Sequence, residues 1–222
     1  MRHKYLLLTI FFGCFLLSLG GTEAASPQAF SQVSAGAEHT CALKTDGTLA
    51  CWGRNDFGQA SPPAGTFTQV SAGGFHTCGV RTDGTLACWG WNIFGQTSAP
   101  TGAFTQVSAG LWHTCGVRTD GTLACAVMKS CDITTCNKPL REKKDYGQAM
   151  PPSGTFTQIS AGAFHTCGVK TDGTVACWGR NDDGQATPPA GTFTQVSAGG
   201  FHTCGVRTDG AIVCWGWDIY GQ

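Results

Sequence analysis

An all-β chain made of five short antiparallel units is the fold class this sequence predicts, and three observations predict it. Near-copies of one unit start at Phe30, Phe67, Phe104, Phe156 and Phe193, spaced 37, 37, 52 and 37 residues apart. Each unit carries two cysteines ten positions apart. No segment shows a helical apolar period bounded by caps.

Within a unit the elements follow in a fixed order. QVSAG alternates as a short strand does, and HTCGV and TLACW read as two more strands joined by a Lys/Arg-Thr-Asp-Gly turn. Glycine at the last turn position (Gly47, Gly84, Gly121, Gly173, Gly210) suits a three-residue hairpin loop, whose final residue takes positive φ as a bulge. The turn aspartates Asp46, Asp83, Asp120, Asp172 and Asp209 suit local bonds to the turn backbone. Stretches such as ASPPAGTF link one unit to the next.

The hairpin register makes a prediction about the cysteines. With Lys44 facing Thr48, the pairs step outward through Leu43/Leu49 and Ala42/Ala50 to Cys41/Cys51. Cysteines directly opposed on one sheet face lie roughly 4.5–5.5 Å apart at Cα, within disulfide range. The same spacing recurs as Cys78/Cys88, Cys115/Cys125, Cys167/Cys177 and Cys204/Cys214, one staple per unit. A metal site is the competing reading, but metal pairs use tighter spacing with a second pair nearby.

Residues 1–25 carry Arg2, His3 and Lys4, an apolar run from Tyr5 to Leu19, and small residues suited to cleavage after Ala24 or Ala25. That is the pattern of a secretory signal, and the run is short for a bilayer span of about 20 residues. The predicted location is secreted, periplasmic or cell-surface, where disulfides persist, with no membrane contact after cleavage. The repeat domain then covers 26–222, in units of about 26–59, 60–96, 97–148, 149–185 and 186–222.

Composition narrows the function classes. A pI near 7.0 lacks the basic footprint that nucleic-acid binding needs. Acidic residues outside the signal and the turns are few, and no phosphate-binding glycine loop, HExxH or ordered Ser/His/Asp set appears, so no catalytic residue, metal ligand or cofactor is assigned. His39, His76, His113, His165 and His202 hold one place in every unit. They are read as satisfying a backbone group at the start of their strand, because a site usually breaks symmetry. Trp52, Trp89, Trp178 and Trp215 follow the second cysteine and are read as core between units.

A small sheet buries little alone, so five of them must share a core in a ring or a linear stack. The repeated VSAGxxHTCxVxTDGTLACWGxNxxGQ resembles the repeat of the regulator of chromosome condensation family over all of the mature chain except one insertion. In its short unit and export signal the chain is similar to bacterial secreted members, among them the propeller-type β-lactamase inhibitor protein. The resemblance implies a β-propeller-like array, usually of seven blades in that family. Five units admit a closed five-blade ring or an open part of a seven-blade propeller. Units one and two match units four and five, which suggests growth by triplets with a sixth unit absent and favours the open array. Self-association follows if the ring is incomplete.

The functional expectation is a non-catalytic module that binds a protein or a cell-surface ligand through its loops. Alternatives are an inhibitor of a secreted or periplasmic hydrolase, and a structural, adhesive or glycan-binding scaffold. Binding residues are sought where units depart from the repeat: Trp91, Phe94, Trp217 and Tyr220, in stretches that replace the polar Arg-Asn-Asp of units one and four, together with Trp112, and Lys143 and Lys144. The two lysines belong to an insertion at 126–144, basic where the rest of the mature chain is acidic. Cys131 and Cys136 are candidates for a private bridge within it. It reads either as a specificity loop or as a misplaced fragment that removes one structural tryptophan.

Overall fold

A computed structural model of the chain describes residues 28–126 and 146–221. The signal segment lies outside the described residues, as does the insertion beyond Ala126, with Cys131, Cys136, Lys143 and Lys144. Blade one comprises β1 (Phe30–Ala35), β2 (His39–Lys44) and β3 (Leu49–Gly53); blade two β4 (Phe67–Ala72), β5 (His76–Arg81) and β6 (Leu86–Gly90). Blade three comprises β7 (Phe104–Ala109), β8 (Thr114–Arg118) and β9 (Leu123–Ala126). Blade four comprises β10 (Phe156–Ala161), β11 (His165–Lys170) and β12 (Val175–Gly179); blade five β13 (Phe193–Ala198), β14 (His202–Arg207) and β15 (Ile212–Gly216). Each blade is a separate antiparallel sheet in chain order, the architecture of propeller blades.

The hairpin register is the one the turn dictates. Leu43 faces Leu49, Ala42 faces Ala50 and Cys41 faces Cys51. The disulfides Cys41–Cys51, Cys78–Cys88, Cys115–Cys125, Cys167–Cys177 and Cys204–Cys214 close at Cα separations of 4.0–4.1 Å, shorter than expected from the hairpin register. The turn glycine has φ +82° at Gly47, a conformation that favours glycine over any side chain. Asp46 accepts bonds from the Thr48 amide and hydroxyl, and the hydroxyl bond holds its carboxyl below the usual carboxylate range. A register shift at the start of the first strand, between Phe30 and Gln32, is a bulge the alternating pattern does not announce.

First strands neighbour one another around an axis, and each blade packs on the next through a repeated junction. At the first junction Cys41 and Leu43 of blade one meet Phe67 and Val70 of blade two, with Leu49, Cys51 and Trp89 at the margin. Polar bonds frame this core. Gln32 donates to the Val70 carbonyl at 3.1 Å and accepts from the Val70 amide at 3.0 Å. Ser34 Oγ accepts from the Ala72 amide at 2.9 Å. At the axis the Ala37 amide donates to the Gly73 carbonyl. The approach there is so close that a Cβ on Gly36 would sit 2.4 Å from the Gly73 oxygen.

The deepest polar contact is a relay. Thr77 donates its one hydroxyl proton to the Gln59 carbonyl at 2.8 Å, so it can only accept from His39 Nε2, 2.7 Å away. This fixes the tautomer with the proton on Nε2. Trp89 Nε1 donates to the same Gln59 carbonyl at 3.0 Å. The His–Thr step recurs as His76–Thr114, His113–Thr166 and His165–Thr203. The histidines therefore bond the next blade's threonine, not a backbone group of their own strand. Repetition made them structural, but their partner is across a junction rather than local.

One further reading is corrected by position. Trp89, Trp178 and Trp215 sit at junctions, each edge-on to the phenylalanine of its own first strand. Trp52 is 52% exposed, with no described blade packed on that face of blade one. In blade three, buried Ala126 stands opposite Thr114 where other blades have tryptophan, so the junction there lacks the indole. Among the described residues no hydrogen bond joins Gln195, Ser197 or His202 of blade five to blade one, although these are the positions that bridge every other junction.

The relay predicts a position-dependent cost. Thr77→Val leaves a buried imidazole N–H and a carbonyl short of partners and lowers stability by about 1–3 kcal/mol. Thr40→Val, at the same position of blade one, costs little. Urea unfolding midpoints of the two variants check the contrast.

Acid should weaken the same contacts. Burial holds His76 and His113 near pKa 3 and His165 near 4, far below the ordinary histidine value. Because the unfolded chain binds protons first, stability is fully present above pH about 6.5 and falls as pH drops toward 3–4, by up to about 1.4 kcal/mol per pH unit per histidine. Thermal melts from pH 8 to pH 4 should be flat at first and then decline.

Candidate protein-binding face

Strand pairing places two loops of each blade side by side. His39 faces Gly53, so the loop entering β2 and the chain leaving β3 emerge at one end of the blade, opposite the hairpin turns. A backbone bond ties them together: the Arg54 amide donates to the Glu38 carbonyl, the Trp91 amide to Phe75 and the Trp217 amide to Phe201. The exit loop is held by its own side chains. Asn55 Oδ1 accepts from the Ala60 amide, and buried Gln59 accepts from the Phe57 amide at 2.9 Å. The same Gln59 feeds the junction relay through its carbonyl, so the loop and the blade contact share one residue.

On this face, residues that break the repeat converge. Trp91 and Phe94, from the exit loop of blade two, meet Trp112, from the entry loop of blade three, at centroid distances of 5.2–5.6 Å. Phe75 lies 5.2 Å from Trp112 and 5.5 Å from Trp91, and Phe57 of blade one stacks on Trp91 at 5.5 Å. Five rings from three blades thus form one cluster, with Phe57 and Ile93 exposed at its edge. Most contacts are edge-to-face, the arrangement the ring quadrupoles favour. At the centre, Trp112 Nε1 is buried with no acceptor among the described residues.

Trp217 and Tyr220 do not join this cluster. They belong to a second group in blades three to five, where Tyr146, Phe164, Phe201, Trp217 and Tyr220 succeed one another at 5.5–6.3 Å. Arg180 lies over Tyr146 and Phe201, at 5.8 and 5.0 Å from the ring centres. Tyr220 is 81% exposed.

The two described arginines of the face are paired within single blades. Arg54 bonds Glu38 and Asp56, both at 2.6 Å, and Arg180 bonds Asp182 at 2.8 Å with Asp183 at 3.9 Å. Glu38 thus serves blade one, and Asp182 and Asp183 blade four. Between the loops the axis holds a cavity of about 330 Å³, lined by alanines and glycines such as Ala35, Gly36, Gly73 and Gly110. Its walls offer backbone groups and methyls but no acid, base or nucleophile. What the face can do is bury aromatic surface against a partner.

Phe57 and Phe75 join the cluster although neither is among the residues the sequence marks as departures from the repeat. The available signal was positional: Phe75, Trp112, Phe164 and Phe201 occupy one repeat position that unit one fills with Glu38. An aromatic common to four units looks structural until the exit loops are seen to deliver more rings beside it.

Comparison with known proteins supports the blade architecture. The Physcomitrella patens receptor kinase CR4 ectodomain is 28% identical, with TM-score 0.68 over 87% of this chain and 52% of that one. The CRINKLY WD40 ectodomain of the Arabidopsis thaliana receptor kinase ACR4 is 26% identical, with TM-score 0.65 over 90% and 69%. In a structure of Kap60 bound to yeast RCC1 (Prp20), the match is 16% identical, with TM-score 0.67 over 84% and 56%, a likeness of fold. The chain spans about half the length of the CR4 ectodomain. No curated protein sequence matches it. The regulator of chromosome condensation (RCC1) repeat matches residues 30–59, 67–96, 104–126, 156–185 and 193–222, one match per blade, and the chain belongs to that family.

Proposed function

We propose that the protein is a non-catalytic module that binds another protein through the aromatic face of blades one to three, outside the cytosol. The observation that carries this reading is the five-ring cluster of Phe57, Phe75, Trp91, Phe94 and Trp112. Aromatic side chains offer large, stiff contact area at little entropic cost, and interfaces draw most of their affinity from a few such anchors. Exposed Ile93 extends the apolar surface. The paired charges of blade one border the cluster as a polar rim does.

An extracytosolic site of action is supported by the five disulfides, which persist in oxidising compartments, and by the predicted signal segment. The likeness to two receptor-kinase ectodomains agrees with it. Binding of a protein fits the exposed aromatics better than binding of nucleic acid, since Arg54 and Arg180, the described arginines on this face, are already paired with carboxylates.

The experiment is capture with the immobilised, oxidised protein from extracellular or periplasmic preparations, followed by titration of the captured partner. Phe57→Ala and Ile93→Asp should each weaken binding by about tenfold or more while leaving the melting temperature unchanged. Thr45→Ala, on the opposite end of blade one, should not change affinity. Equal affinity for all variants, or loss only on altering the hairpin end, removes the proposal.

A further inference from the structure

The two ends of the blades differ in charge. At the hairpin end the Lys/Arg-Thr-Asp-Gly turn gives each blade one cation and one aspartate, as Lys44 with Asp46, so charge cancels blade by blade. At the loop end the described residues carry Glu38, Asp56, Asp182, Asp183 and Asp218 against Arg54 and Arg180. The net negative charge of the described blades therefore lies on the end that holds the aromatic cluster.

This excess faces solvent. Asp56 accepts from Arg54 Nε through Oδ2, and Glu38 accepts from Arg54 Nη1 through Oε2, while the two acidic side chains are 64 and 54% exposed. Their other oxygens, Asp56 Oδ1 and Glu38 Oε1, take no bond from the described residues. The arginine they hold lies over Phe57, 5.8 Å from the ring centre. Blade four repeats the arrangement, with Arg180 over Tyr146 and Phe201 and with Asp182 and Asp183 at its edge. The scaffold thus lays a guanidinium on its own rings twice, each time with carboxylates beside it. In blade two, Trp91 stands where blades one and four have that arginine, and no described cation lies over Trp91, Phe94 or Trp112.

We propose that the aromatic face of blades one to three takes a basic segment of a separate protein. Its arginine or lysine side chains lie on the open rings and reach the outward oxygens of Glu38 and Asp56, while its apolar residues cover Phe57 and Ile93. This rests on the aromatic face being the binding face, and it names the chemistry that face selects. Charge complementarity indicates the occupant: a cation over a ring is attracted by the ring quadrupole, and nearby carboxylates add to that attraction. An acidic segment meets repulsion at the same place, which is how rim charges suppress wrong partners.

Two synthetic peptides test this, alike in their tryptophan and leucine residues, one carrying arginine wherever the other carries glutamate. Each is titrated calorimetrically into the oxidised full chain at low and at physiological salt. The arginine peptide should bind about tenfold or more tightly than the glutamate peptide, and added salt should narrow the difference. Glu38→Gln combined with Asp56→Asn should weaken the arginine peptide about tenfold, whereas Thr45→Lys, which adds positive charge at the hairpin end, should leave it unchanged. If both peptides bind alike and Phe57→Ala weakens both, the charge assignment falls and the aromatic reading stands. Binding of neither peptide, or an arginine preference that the Glu38 and Asp56 changes leave intact, also overturns the assignment. The chain's own insertion is basic as well, so binding that appears only in the Lys143→Gln, Lys144→Gln variant makes that insertion the occupant and overturns the choice of a separate protein.

Discussion

The contact between consecutive blades is the constraint on which everything else rests. A three-stranded sheet of four- to six-residue strands has two faces and little interior of its own. The leading residues Cys41 and Leu43, and the following residues Phe67 and Val70, become buried only when the two blades meet. Apolar contact alone would allow sliding, since it has no direction. The bonds from Gln32, Ser34 and His39 to the next blade fix the register, and each satisfies a group that the contact itself desolvates. The buried histidines are therefore neutral spacers, and their low pKa is a consequence of being sealed in the junction.

The sequence made the blades legible to a degree unusual for a chain read without relatives, because the repeat supplied its own internal comparison. Strand number, turn type and cysteine register follow from Lys44, Asp46, Gly47 and Thr48, whose bonds are all local. What was not legible are the partners of Gln32, Ser34 and His39. Their bonds span one repeat period, so no local pattern distinguishes a side chain that serves its own blade from one that serves the next. The aromatic face divides in the same way. Trp91, Phe94 and Trp112 stood out as departures, but their convergence depends on the curvature of the array, and Trp217 and Tyr220 depart in the same manner yet sit elsewhere.

Repetition and departure thus carry different information. Positions held constant in all units answer needs that every blade shares: a turn, a staple, a junction. Glu38 against Phe75 and Trp112, or Arg54 against Trp91, answer no such need, and the scaffold tolerates either at the same place. Gln59 joins the two layers. Its carbonyl takes the junction bonds and its side chain holds the exit loop, so a loop of variable content is pinned to an invariant contact. This is how one face can change its chemistry from blade to blade without loss of fold.

The disulfides act on a different level from the junctions. Each closes a hairpin of sequence separation ten, for which the chain-entropy account gives roughly 3 kcal/mol of stabilisation, all of it within one blade. None of the five described disulfides crosses a junction. A hairpin in the oxidised protein is thus held by a covalent tie while its attachment to the neighbouring blade depends on noncovalent contact. Stability is then a sum of stapled units and nearest-neighbour terms, and the weakest terms are local ones. The junction entering blade three lacks the tryptophan that Ala126 replaces, so its Gln96 carbonyl receives Thr114 without an indole and Phe104 lacks the edge-on ring that Phe67, Phe156 and Phe193 have. Across that same junction Phe75, Trp91 and Phe94 pack on Trp112, so the aromatic face supplies ring contacts where the indole is missing, and a partner bridging Trp91 and Trp112 would add to them.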